Sequence, residues 1–263
     1  MVFEDLKKAV LHRLQALPGR IGFEAFCPET GDRIAWQEEL PLEAASVIKL
    51  TIMAEMFRRF RDQEDDPQEL VTIREEDKKP SCGALTYMHT GLQVTVMDLV
   101  TLMIILSDNT ATNLLIDRAG MDRINAMIAE CGLTASRVNR KLYRPDLSSR
   151  GIQNYVSASD MRRLLQMILD ERLVSAEASR QMLRILCDQR LNGKLPFYLH
   201  SEGIRVAHKT GEDEGITHDV GILFTQRPWI LCFLSNQTAV PEAERAMQDI
   251  AAWLAGVKPV EAL

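Results

Sequence analysis

A chain of 263 residues that is 46% hydrophobic can bury a substantial core and is too apolar to be disordered. Its formal net charge of −6, with no basic run anywhere, argues against nucleic acid and anionic membrane surfaces as partners, since both reward a basic face. Five cysteines (Cys27, Cys82, Cys131, Cys187, Cys232) stand singly, without the paired spacing of metal sites or redox motifs, and read as buried or free thiols.

In chain order, the opening segment MVFEDLKKAVLHRLQALPGR has a charge every few positions, so it holds no apolar export segment and the chain reads as cytoplasmic as written. Its apolar residues Phe3, Leu6, Val10, Leu11, Leu14 and Leu17 keep a helical period, predicting a surface helix. Ile21 to Cys27 and Arg33 to Gln37 are predicted strands, joined as a hairpin across Pro28-Glu29-Thr30-Gly31-Asp32. Helices follow over Val47 to Phe60, Val96 to Leu106, Ala111 to Arg118, Met121 to Glu130, Ala158 to Leu169 and Ala176 to Cys187, with Ser157 and Ser175 at N-cap positions. Arg205 to Lys209, Thr217 to Thr225 and Trp229 to Asn236 are three further strands, and Pro241 to Leu254 is a closing helix. An all-helical lobe (61–199) is therefore expected to interrupt a five-stranded, mostly antiparallel sheet built from both chain ends (1–60 and 200–263), an α+β class forming one functional unit.

Three short motifs punctuate this pattern in a fixed order: Ser46-Val47-Ile48-Lys49, Ser107-Asp108-Asn109 and Lys209-Thr210-Gly211. A Ser and a Lys three apart occur about once in any chain of this length, and each triplet in roughly one such chain in twenty. All of them in this order fall below about one in a thousand. Acyl transfer needs a nucleophile whose proton is taken by a neighbouring base. Ser46 and Lys49 project from one face at the start of a predicted helix, where free N–H groups also suit a developing oxyanion. Lys49 acts as a base only if burial or a nearby cation lowers its pKa, and Lys209 is the candidate cation. Each motif has a plainer reading as well: a helix cap followed by a solvated lysine, a capping tripeptide before Thr110, and a polar edge strand.

Together with the flanking text LMIILSDNTATNLLID and VAHKTG, the motifs resemble those of the class A β-lactamases and penicillin-binding proteins along the whole chain. That resemblance implies terminal helices packed on the sheet and an active site between the two lobes. It implies Ser46 as nucleophile, Lys49 as base, Ser107 as proton shuttle to the leaving nitrogen, and Asn109 as a holder of Lys49 and the substrate amide. Lys209 and Thr210 would bind the substrate carboxylate, with Gly211 permitting close approach, and the backbone N–H groups of Ser46 and Glu212 would form the oxyanion hole. The substrate would be a small β-lactam or an acyl-D-Ala-like molecule, with no metal, organic cofactor or obligate protein partner. The family usually works outside the cytoplasm, so an export signal ahead of this sequence would make the protein periplasmic or secreted.

The chain departs from the family where class A β-lactamases carry the deacylating glutamate in a loop of the form E-P-x-L-N. Tyr143-Arg144-Pro145-Asp146-Leu147-Ser148 puts Arg144 on the glutamate position and Ser148 on the asparagine position. A guanidinium cannot serve as general base, so deacylation is expected to be slow unless Asp146, Asp213 or Glu214 replaces it. His218 reads as a strand residue with a satisfied ring. Three readings follow: a β-lactamase that turns over weakly, a D-alanyl-D-alanine carboxypeptidase or small esterase inhibited by β-lactams, and a non-enzymatic module that traps its ligand covalently.

Overall fold

A computed structural model describes residues 2–258. The chain begins with helix α1 (Phe3–Gln15), whose Leu6, Val10 and Leu14 face inward, and continues as the antiparallel pair β1 (Arg20–Phe26) and β2 (Arg33–Trp36). A short strand β3 (Leu42–Glu43) and a 3-10 turn over Ala45–Ile48 lead into α2 (Lys49–Arg61). The helical portion comprises β4 (Leu70–Thr72), β5 (Gln93–Thr95), α3 (Val96–Ile105), α4 (Asn109–Ala119), α5 (Met121–Glu130), α6 (Pro145–Ser148), β6 (Tyr155–Val156), α7 (Ala158–Leu169) and α8 (Ala176–Cys187). The chain returns through β7 (Val206–Asp213), β8 (Ile216–Leu223) and β9 (Trp229–Asn236) and closes with α9 (Val240–Ala255).

The five long strands lie in the order β2-β1-β9-β8-β7, all neighbours antiparallel, which is the sheet expected from the sequence. Alternation along the strands divides the core in two. Ala207, Val220, Ile222, Ile230, Cys232 and Leu234 face the cluster built by α2, α3, α4 and α7, while Val206, Leu223, Leu231 and Phe233 face the cluster under α1 and α9. Phe23 and Phe233 are register partners whose rings meet edge-on at 6.0 Å, a geometry contributing about 0.5–1.5 kcal/mol beyond their burial.

The differences from the sequence pattern are local. β7 extends beyond Lys209 to Asp213, because its full-length register with β8 (Thr210↔Asp219, Asp213↔Ile216) overrides the turn character of Gly211-Glu212-Asp213. The helix expected from Val47 opens as a 3-10 turn, with Ala45 at φ 40, before becoming α2 at Lys49. The pairs β3–β6 and β4–β5 join segments about 25 to 115 residues apart, and such short strands have no periodic signal of their own. No helix among the described residues is long and apolar enough to cross a membrane.

Candidate active site

Lys49 stands at the first turn of α2, fully buried, and its Nζ reaches Ser107 O at 2.7 Å, Ser107 Oγ at 3.0 Å and Asn109 Oδ1 at 3.0 Å. Lys209, from the middle of β7, donates to the same Ser107 Oγ at 3.0 Å and to Thr210 O at 2.8 Å. Residues from a helix start, an interhelical corner and an edge strand therefore share one hydroxyl, that of Ser107. The corner is strained: Ser107 has φ 55, a left-handed conformation that turns its side chain between the two lysines.

Burial pushes the Lys49 amine well below the ordinary lysine value, and the charge of Lys209 pushes it further the same way. Burial also lowers Lys209, to about 7, against the Asp219 carboxylate on the neighbouring strand, which works in the opposite direction. A neutral Lys49 has two N–H groups and one lone pair. Ser107 O and Asn109 Oδ1 can only accept, so they take the two N–H groups and leave the lone pair facing the Ser107 hydroxyl.

Asp108, the middle residue of the corner, has two tasks. Its Oδ1 accepts Ala111 N–H at 2.9 Å and caps α4, while Oδ2 accepts Ala84 N–H at 2.7 Å and Leu85 N–H at 2.8 Å. The second task pins the 80–85 loop over the corner. Gly83 makes this possible: at φ +109 its backbone lies so close that a Cβ would sit 2.3 Å from the Asp108 carboxylate. Asn109 completes the attachment, with its N–H donating to Cys82 O at 3.2 Å and its Nδ2 to Ser81 Oγ at 2.9 Å.

This assembly borders a cavity of about 630 Å³ whose wall includes Ser46, Ser81, Cys82, Asn109, Arg140, Tyr143, Arg144, Ser148, Glu212, Asp213 and Glu214. Ser46 is 9% exposed, and among the described residues its hydroxyl has no hydrogen-bond partner, Lys49 included. The nucleophile candidate thus faces open space while the base candidate is engaged one layer deeper. Lys209, Thr210 and Gly211 lie behind the wall, and Glu212 forms part of it. Gly211 is closely packed, since a Cβ there would meet His218 Cδ2 at 3.0 Å and Val47 Cγ2 at 3.1 Å and those side chains would have to give way. Its neighbour His218 is held neutral by burial, down to about 4; its Nε2 donates to Glu43 O at 2.8 Å and its Nδ1 accepts Ser235 N–H at 3.0 Å. That satisfied ring ties β8 to β3 and β9.

Arg144 and Ser148 both reach the cavity wall, but the Arg144 guanidinium is committed to Asp146, with Nε and Nη2 contacts at 2.8 and 2.6 Å. Arg144 holds the Asp146 carboxyl down at about 2, and Asp146 does not line the cavity. Asp213 and Glu214 do. The wall also contains Cys82, from the 80–87 loop, and Glu43 and Arg140, which sequence patterns did not single out because loops distant in sequence bring them there. Among the described residues no group of three or more His, Cys, Asp or Glu side chains is arranged to hold a metal ion.

The profile of the beta-lactamase enzyme family matches residues 4–256. The chain belongs to that family. Beta-lactamase L2 of Stenotrophomonas maltophilia is 27% identical over 241 residues, covering 88% of this chain and 78% of that protein. A beta-lactamase from Sphaerobacter thermophilus superposes with a TM-score of 0.87 at 30% identity, covering 98% of this chain and 100% of the other. PBP-A superposes with a TM-score of 0.86 at 25% identity over 96% of this chain and 95% of its own. Membership in the family makes this chain a hydrolase of the β-lactam-directed type, in a fold that β-lactamases share with penicillin-binding proteins.

Proposed function

We propose that this protein is a class A β-lactamase-like serine hydrolase that forms an acyl-enzyme at Ser46 and deacylates slowly. One observation carries the reading: Lys49, desolvated and with its amine pushed well below the ordinary lysine value, shares the Ser107 hydroxyl with Lys209 beneath the cavity that Ser46 lines.

The chemistry runs from these groups. Ser46 Oγ attacks the strained lactam carbonyl, and its proton passes to the Lys49 amine, once Lys49 releases the Ser107 hydroxyl or relays through it. The oxyanion is held by the Ser46 and Glu212 backbone N–H groups, where the loss of one donor costs about 3 kcal/mol. The carbonyl carbon–nitrogen bond then breaks, and Ser107 delivers a proton to the nitrogen and regains one from Lys49. The Lys209 ammonium steadies the Ser107 oxygen throughout and attracts the substrate carboxylate. Water must then attack the ester, and at the glutamate position of the family loop stands Arg144, protonated and paired with Asp146, which does not line the cavity.

The same pairing favours a second reading, a D-Ala-D-Ala carboxypeptidase or esterase for which β-lactams are inhibitors. The deciding experiment incubates the protein with a chromogenic cephalosporin and a fluorescent penicillin and follows intact mass over time. A transient adduct with steady colour identifies a β-lactamase; a persistent adduct identifies a penicillin-binding enzyme or a covalent sensor, which differ in turnover of acyl-D-Ala-D-Ala. Absence of any adduct, or an adduct that survives Ser46→Ala, defeats the acyl-enzyme assignment.

A further inference from the structure

Lys194, between α8 and β7, is a buried lysine that the steps above leave unused; it is 3% exposed and does not line the catalytic cavity. Lysine is almost never buried to this degree without partners. Its Nζ donates to Gly211 O and His218 O, both at 3.3 Å, and pairs with Glu212 Oε1 at 3.0 Å, while Glu244 Oε1 of α9 lies at 3.8 Å. The segment that carries it is anchored on both sides, by Leu195 N–H on Asp219 Oδ2 at 3.1 Å and by Gln248 Nε2 on Gly193 O at 2.8 Å.

Gly211 O and the Glu212 N–H belong to one peptide unit, which is planar and trans, so the two groups point in opposite directions. Gly211 and His218 are register partners, and one ammonium reaches both of their carbonyls, which turns Gly211 O towards β8. The Glu212 N–H is thereby turned to the other side of β7, the free edge of the sheet, where Glu212 and Ser46 line the same cavity. A cation on the carbonyl also polarises the peptide and makes its N–H a stronger donor.

We propose that Lys194 is a positioning residue for the oxyanion hole, aiming and strengthening the Glu212 N–H through the Gly211 carbonyl. The inference rests on the acyl-enzyme reading above. It adds to that reading a residue that never touches the substrate yet sets how well the developing oxyanion is held.

The test follows fluorescent-penicillin labelling and the infrared carbonyl stretch of the penicillin acyl-enzyme in full-chain variants. In Lys194→Met, labelling at saturating penicillin should slow at least about tenfold, short of roughly the 10²–10³ lost with a whole donor, while the half-saturating concentration stays unchanged. Its acyl carbonyl should absorb at higher wavenumber, because the hydrogen bonds into that oxygen weaken. Lys194→Arg, which keeps charge and donors, should recover most of the rate and the original frequency. Lys194→Gln, a donor without charge, should fall between, and the Arg and Gln variants decide the matter if the Met variant does not fold. Gln248→Ala loosens the same segment without touching Lys194 and should label at the unaltered rate. Unaltered labelling in folded Lys194→Met or Lys194→Gln, or slow labelling with an unmoved carbonyl band, would overturn the proposal. An equal loss in Gln248→Ala would do the same, since it would reduce Lys194 to a support of its own segment. An unsubstituted chain that penicillin never labels would remove the acyl-enzyme reading and this inference together, whereas the other adverse results remove this inference alone.

Discussion

Replacing Asp108 with alanine should damage both the helical lobe and the catalytic corner. The side chain is fully buried and its two oxygens accept three backbone N–H groups, at Ala111, Ala84 and Leu85. Losing a helix cap costs about 1 kcal/mol. Each of the two orphaned loop N–H groups adds about 1–3 kcal/mol, less where water reaches it, so a total near 3–5 kcal/mol is expected. Against a typical stability of about 5–15 kcal/mol the variant stays folded, with a melting temperature lower by about 6–20 °C for a chain of this size. Urea unfolding followed by circular dichroism measures the loss, and Asp108→Asn, which keeps the cap acceptor, should lose about half as much. Penicillin labelling of the folded variant should slow as well, because the freed loop carries Ser81 and Cys82, which hold Asn109 in place. A loss below about 1 kcal/mol would refute the assignment of all three contacts to this carboxylate.

The remaining predictions concern the catalytic cluster. Lys209 binds a proton with a pKa of about 7 when folded and near 10.5 when unfolded, so between those values the unfolded chain holds more protons and stability gains from rising pH; Lys209→Met should flatten that slope in pH-dependent unfolding. Acylation by a carboxylate-bearing β-lactam should fall above about pH 7, and Lys209→Arg, which keeps its charge, should move the fall to higher pH. Ser107→Gly should be about 1 kcal/mol more stable than Ser107→Ala, since φ 55 suits only the glycine, and equal stabilities would remove the case for strain at the corner. Ser46→Ala should abolish the adduct yet leave stability within about 0.5 kcal/mol, as its hydroxyl holds no hydrogen bond. Arg144→Glu should speed loss of the acyl adduct by a factor approaching the 10²–10⁴, roughly, of general-base catalysis; unchanged decay in intact mass would mean that the loop does not limit turnover.

The long, periodic elements were legible in the sequence: Met121–Glu130, Ala158–Leu169 and Ala176–Cys187 carry strong apolar stripes and, in the last two, serine caps, so their ends agree with the structure. The cluster residues Lys49, Ser107, Asn109 and Lys209 were legible because their chemistry requires specific side chains in order along the chain. Other features depend on packing that no local pattern encodes. Gly211, expected from the sequence to permit close approach to a ligand, is also closely packed against Val47 and His218. Ser46 and Lys49, three apart, were expected to meet, but Lys49 is drawn inward by its contacts with Ser107 O, Ser107 Oγ and Asn109 Oδ1. Glu43, Arg140 and Cys82 reach the cavity only because the β3–β6 pairing and the Asp108 clamp bring distant loops together.

The central position of β9 has a consequence for how the molecule comes to exist. β1, completed within the first 26 residues, has one partner immediately after it and another more than two hundred residues later, at 229–236. During synthesis an N-terminal hairpin with one bare edge must wait for almost the entire chain to leave the ribosome. Only then can β7, carrying Lys209, be laid beside the corner made by Ser107. The protein therefore has no complete half: a ribosome that stops short of the last three strands releases a chain with Ser46, Lys49 and Ser107 but no Lys209.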